Sequence, residues 1–318
     1  MNVLVTGGAG FIGSHIADAL LAAGHRVTIV DNLRSGHRHN VPVAATLHTV
    51  DIVDADALAQ VFEQEEIHAV VHQAALANVR ESMTDPIEYA TVNVLGTLNL
   101  LELARKHECK RVVFASTGGA VYGEGYRASG PSPLPFTEES RPQPKDNYGA
   151  NKLSIEYHLD LYHANYGLEY VALRYANIYG PRQDSRGEAG VIAIFAGAML
   201  TNQPTRITGD GKQIRDFTYV GDVARANLMA LESTATGIFN VGTGRPSDIK
   251  TVHTLLREAT GYGQDAAYVP RPMGEVVASY VDPAKAGRTL GWQAEISLEE
   301  GLQRTVDWFR TRAAAADA

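Results

Sequence analysis

Between an apolar, β-branched run at residues 2–6 and helical periodicity over 11–23 stands Gly7-Gly8-Ala9-Gly10-Phe11-Ile12-Gly13. Glycines at 7, 10 and 13 allow a tight turn. They also let backbone N–H groups approach an anion at a helix N-terminus. The spacing is G-x-x-G-x-x-G, not the commoner G-x-G-x-x-G. Gly24 stands where a helix stop is expected, and a second strand over 26–30 runs into Asp31. An acid at the end of that strand accepts from both ribose hydroxyls and repels a 2′-phosphate. These residues predict a strand–turn–helix–strand unit that seats a dinucleotide, NAD rather than NADP, on Gly7, Gly10, Gly13 and Asp31. Asp51 and Ile52, after a third strand expected over 46–50, are the candidates beside the adenine.

The rest of the first half alternates the same way. Helices are expected over 54–64, 86–107 and 147–166, and strands over 69–72, 111–115 and 169–174. Such alternation means an α/β fold with a doubly wound parallel sheet of Rossmann type. After about residue 175 Gly, Pro and Arg become frequent and the elements shorten. A dinucleotide-binding domain over 1–175 is therefore expected, with a smaller mixed α/β substrate lobe over 176–318. Some strands and helices should interleave between the two.

A net charge of −8 argues against a general nucleic-acid binder. The single cysteine, Cys109, excludes an internal disulfide and fits a reducing compartment. The longest apolar run, 191–200, is half of a membrane span, and the apolar N-terminus lacks the basic flank of a signal peptide. The cytoplasm, with no membrane partner, is the expected location. The 11 histidines show no ligand spacing with acids or the cysteine, so no metal site is expected.

Tyr148 and Lys152 lie four residues apart in a helix-forming stretch and share one helix face. A phenolate with the ordinary pKa near 10 is about 4 kcal/mol out of reach at pH 7. A lysine ammonium one turn away lowers that cost, and the same lysine can hold a nicotinamide ribose. Thr117, at the end of a strand reading Phe114-Ala115-Ser116-Thr117, offers a hydroxyl to a substrate oxygen. Together with the glycine turn, these residues suit removal of a hydride and a proton from one carbinol carbon.

The sequence at this point resembles the extended short-chain dehydrogenase/reductase superfamily, and within it the UDP-glucose (UDP-galactose) 4-epimerase group. The resemblance rests on Thr6–Gly13, Asp31-Asn32, His72-Gln73-Ala74-Ala75, Asn93-Val94-Leu95-Gly96-Thr97 and Val121-Tyr122-Gly123. It continues through Tyr148–Lys152, Arg174–Arg182, Arg215-Asp216-Phe217 and Asn240-Val241-Gly242.

The resemblance implies Tyr148 as base, Lys152 as its partner and Thr117 as the third member, with Ser116 as the fallback. It implies cofactor contacts from Phe11, Ile12, Asn32, Ala74, Ala75, Asn93, Ser116, Tyr148 and Lys152. It implies a UDP-sugar substrate held by Thr117, Tyr148, Asn177, Val191, Phe195, Arg215 and Arg271. The family's second arginine falls on Pro272, and Arg271 stands one residue before it. Related 4,6-dehydratases carry an Asp-Glu pair after the Thr, whereas this chain has Gly118-Gly119, which favours epimerisation. Ser279, counted from Gly274, falls against the C2 substituent, and its small size admits N-acetylated sugars. A homodimer through the helices at 86–107 and 147–166 is also implied. The rival expectations are an epimerase or reductase for another nucleotide sugar, such as UDP-glucuronate, and a non-catalytic NAD sensor.

Overall fold

The computed structural model describes residues 1–125, 133–185, 190–271 and 275–316. Its first half is β1 (Asn2–Thr6), α1 (Phe11–Ala22), β2 (Arg26–Val30), β3 (Thr46–His48), α2 (Ala55–Gln64), β4 (Ala69–His72), α3 (Val79–Thr84) and α4 (Pro86–Ala90). A π-helical turn, Thr91–Leu95, leads into α5 (Gly96–Lys106), β5 (Arg111–Thr117), α6 (Asn147–Tyr166) and β6 (Glu169–Tyr175). The second half is β7 (Asn177–Tyr179), α7 (Val191–Leu200), β8 (Arg206–Thr208), β9 (Ile214–Tyr219), α8 (Val220–Glu232), β10 (Gly237–Val241), β11 (Pro246–Asp248), α9 (Ile249–Thr260), β12 (Ala267–Val269), β13 (Ala278–Ser279), α10 (Ala284–Leu290) and α11 (Leu298–Ala316).

Seven strands form one parallel sheet in the order β10-β6-β5-β4-β1-β2-β3. Both faces are covered, which is why β1 and β5 are buried at every residue. Alternate side chains serve opposite layers. Val3, Val5, Val113 and Ala115 pack with residues of α1 and α8. Leu4, Val112 and Phe114 pack with α2, α5 and α6. From β1 the chain winds first toward β3 and later toward β4. The crevice above the C-terminal ends of β1 and β4 is thus the switch point where such sheets bind ligands.

The smaller lobe centres on β9, which pairs with β7, β11 and β13, beside a β8–β12 pair. α7, α9 and α11 bury Ile192, Phe195, Leu256 and Leu302 around Ile207 and Phe217. The long apolar run of the sequence is α7, a core helix of this lobe. Among the described residues no helix is long and apolar enough to cross a membrane. The chain crosses residue 175 more than once: α8 packs on α1, and β10 joins β6 at the edge of the large sheet. The lobes are also tied by Arg182 on Asp18, at 2.7 Å, and by His15 on the Pro181 carbonyl, at 2.9 Å.

Candidate active site

The glycine turn closes on itself. Gly10 N–H donates to the Gly7 carbonyl at 3.0 Å, and Gly7 has φ +69°. A Cβ on Gly13 would lie 2.2 Å from the Gly7 oxygen, and one on Gly7 would lie 2.8 Å from the Ala74 nitrogen. Only glycine fits either place. Gly10 is the N-cap of α1 and supplies no side-chain acceptor, so the first-turn N–H groups at Phe11 and Ile12 remain for an external anion. Asp31 is buried, with Oδ2 accepting from Ala9 N at 3.0 Å and Oδ1 from Leu33 N at 2.8 Å. A fixed carboxylate beyond an uncapped helix start fits the ribose and pyrophosphate of NAD.

The neighbouring candidates divide. Asn32 Nδ2 donates to Asp51 Oδ2 at 2.8 Å, so these two form one rim beyond Asp31. Ile52 departs from its expected place: β3 ends at His48, and the Ile52 side chain packs into the core against Gly96. Asn93, on the π-helical turn, spends its side-chain amide on both polar groups of Leu76, at 2.8 and 2.9 Å. It shapes the Ala74-Ala75-Leu76 loop.

α6 begins at the Asp146 cap, whose carboxylate accepts from Gly149 N at 2.7 Å. Gly149 lets the helix start close on the loop after Thr117, where an added Cβ would lie 2.8 Å from the Ala120 oxygen. The backbone N–H of Tyr148 donates to Ser82 Oγ at 3.2 Å. Lys152 Nζ lies 5.9 Å from the centre of the Tyr148 ring and 4.7 Å from that of Phe114. Burial brings the Lys152 pKa down to about 7, against an opposing pull from Glu156. Thr117 Oγ1 accepts from Ala120 N at 3.2 Å, which leaves its own hydrogen to donate.

Ser116, the fallback for Thr117, has its hydroxyl engaged elsewhere. Strand alternation turns it to the opposite face from Thr117, where its hydroxyl donates to Glu156. That carboxylate is also held by Arg174 Nε at 2.9 Å and Nη2 at 2.6 Å, all three side chains being buried. A Cβ on Gly118 would lie 2.8 Å from Val281 Cγ1, so no acidic side chain fits directly after Thr117.

In the smaller lobe β9 gathers the remaining candidates. Arg215 pairs in register with Ser279 on β13, and Phe217 with Asn177 on β7. Asn177, Val191, Phe195 and Arg215 line a cavity of about 300 Å³, and Ser279 is buried beside it. Arg271 does not line that cavity. It is paired with Asp210 at 3.3 Å and with Glu275, a lining residue, at 3.6 Å. Pro272 to Gly274 lie outside the described residues. Sequence reasoning missed Arg80, Arg206 and Glu275 as lining residues. No local motif marks them; only the packing of the lobes brings Arg80 of α3 there. No group of three metal-ligating side chains occurs among the described residues.

An uncapped glycine turn, a Tyr–Lys helix face and a cavity in the smaller lobe define a dinucleotide-dependent enzyme of the α/β class. The chain belongs to the NAD dependent epimerase/dehydratase family, whose model matches residues 3–242. It is 40% identical to UDP-glucose 4-epimerase of Mycolicibacterium smegmatis, covering 98% of this chain and 99% of that one. Among solved structures it resembles UDP-glucose 4-epimerase of Thermotoga maritima with UDP-glucose, at TM-score 0.95, 44% identity and coverage of 98% and 100%. It also resembles the UDP-glucose 4-epimerase of Thermus thermophilus in complex with NAD, at TM-score 0.92, 43% identity and coverage of 98% and 99%.

Proposed function

We propose that the protein interconverts UDP-glucose and UDP-galactose by epimerisation at C4, with room for the N-acetylated pair beside the small Ser279. The carrying observation is the Tyr148–Lys152 face of α6 set against a strand end whose Thr117 is followed by no acid. Full-length likeness to UDP-glucose 4-epimerases supports the choice of substrate.

Gly7, Gly10, Gly13 and Asp31, with Asn32 and Asp51 at the rim, would hold NAD, which when bound would supply reversible two-electron oxidation at C4. Tyr148 takes the proton of the 4-hydroxyl and later returns it. Lys152, as the ammonium, stabilises the Tyr148 phenolate from the same helix face, its Nζ lying 5.9 Å from the ring centre in a water-poor setting. Thr117 donates its hydroxyl hydrogen to the same sugar oxygen. Gly118 and Gly119 offer neither acid nor base for elimination at C5 and C6. Asn177 and Arg215 hold the nucleotide while the sugar turns over, Val191 and Phe195 cover the base, and Arg271 supports the wall through Glu275.

The test is conversion of UDP-galactose to UDP-glucose by the purified protein with no added cofactor, followed by chromatography, with UDP-GalNAc in parallel. Tyr148→Phe should lower turnover about a hundredfold to ten-thousandfold while UDP binding persists. Near-full activity in that variant would remove Tyr148 as the base. We further infer a homodimer: Ile87, Leu95, Tyr157 and Leu161 expose large apolar side chains on α4, α6 and the π-helical turn.

A further inference from the structure

The cavity beside β9 is lined by three arginines, Arg80, Arg206 and Arg215, and one acid, Glu275. Three like charges on one concave wall repel one another, and a chain of net charge −8 has no general surplus of cations. Such a cluster is arranged for an anion. Arg215 is already engaged, with Nη1 donating to the Ile214 carbonyl at 2.8 Å and Nη2 to that of Val276 at 2.6 Å. Arg80 is exposed, and its guanidinium has no hydrogen-bond or ion-pair partner among the described residues.

The position of Arg80 is fixed from two sides. Asn78 caps α3, its Oδ1 accepting from Arg80 N at 3.0 Å and Glu81 N at 3.1 Å. Further along, Ser82 accepts the Tyr148 N–H on its hydroxyl and the Asn147 side chain on its carbonyl, at 3.2 and 2.9 Å. α3 is therefore pinned to the start of the helix that carries Tyr148, while its arginine reaches a cavity of the other lobe. A nucleoside diphosphate sugar is a linear molecule. With its sugar at Tyr148 and its base against Val191 and Phe195, the diphosphate occupies the span between them. Arg80 bridges those two regions. Arg206 extends from β8, which pairs with β12 and has no such tie to α6.

We propose that Arg80 binds the substrate's diphosphate and thereby ties the nucleotide to the helix that bears the catalytic tyrosine. This rests on the nucleotide-sugar reading above. The test is calorimetric titration of the NAD-loaded full chain and its Arg80→Met and Arg80→Lys variants with UDP and with uridine, which lacks phosphate. Arg80→Met should weaken UDP binding about tenfold to a hundredfold and leave uridine binding unchanged. Arg80→Lys should restore part of the loss, because it keeps the charge but not the planar fork. Unchanged thermal melting shows that the variants fold. UDP binding equal to the parent's, or equal losses with UDP and uridine, overturns the assignment. If the parent itself fails to bind UDP, the nucleotide-sugar reading falls and takes this one with it.

Discussion

His72, at the C-terminal end of β4, is 1% exposed and has both ring nitrogens engaged. Thr97 Oγ1 donates to the Asn93 carbonyl at 2.6 Å, so it accepts from His72 Nε2–H at 2.8 Å. His72 Nδ1 is left as an acceptor for the Thr6 hydroxyl at 2.6 Å, and Thr6 accepts the Ala74 N–H at 3.2 Å. One neutral tautomer thus links the glycine turn, the Ala74 loop and the π-helical turn. Burial, aided by the Lys152 charge, brings the His72 pKa from its ordinary 6.5 down to about 3. As pH falls through that window the unfolded chain takes up a proton that the folded chain refuses, so stability is lost with acid. Denaturant titrations should show the parent losing up to about 1.4 kcal/mol per pH unit more than His72→Gln between 6.5 and 3. Identical slopes would mean that His72 charges in place. At Gly13, the 2.2 Å approach to the Gly7 oxygen leaves no room for a methyl group. Gly13→Ala should purify without bound nucleotide, as judged by chromatography of the acid-released cofactor.

On α6, Tyr148, Lys152 and Glu156 recur every fourth residue, so one face carries phenol, cation and anion in line. Glu156 is shared between Ser116, Arg174 and the field at Lys152. Glu156→Gln leaves Arg174 buried without its counter-ion and should cost about 3–5 kcal/mol in denaturant unfolding. It also removes support for the Lys152 ammonium, so the alkaline limb of kcat should move to lower pH. Glu156→Gln combined with Arg174→Met should regain stability while keeping the shifted limb, which separates positioning from bulk stability. The helix expected over 147–166 matches α6, which Asp146 caps and Gly167, at φ +73°, stops. The expected helix over 86–107 was legible only as a single rod. The five-residue turn at Thr91–Leu95 leaves no mark on apolar periodicity, yet it delivers Asn93 and Thr97 to their partners. Ser116 and Thr117 were chemically equivalent by composition. The sheet pleat separates them, and a strand's phase becomes fixed only when its neighbours pack.

For the whole molecule, the exposed apolar side chains of Ile87, Leu95, Tyr157 and Leu161 predict association of two copies. Sedimentation should give twice the mass of the chain, and Leu95→Glu with Leu161→Glu should give the single-chain mass. The glycine turn, Asp31 and the Tyr–Lys face were legible because each is a local pattern. Arg80 was not, since its place in the cavity depends on two lobes meeting across a long stretch of sequence. The return of α8 and β10 to the large sheet bears on how such an enzyme can be rebuilt. β10 covers the edge of β6, and Val223, Phe239 and Val241 complete the core under Val171 and Leu173. A fragment ending at residue 175 would bare both and should aggregate, as light scattering would show. No single recombination point therefore separates the cofactor half from the substrate half. New sugar preferences in this architecture have to come from point changes along β9 and β13, not from exchanging one lobe as a cassette.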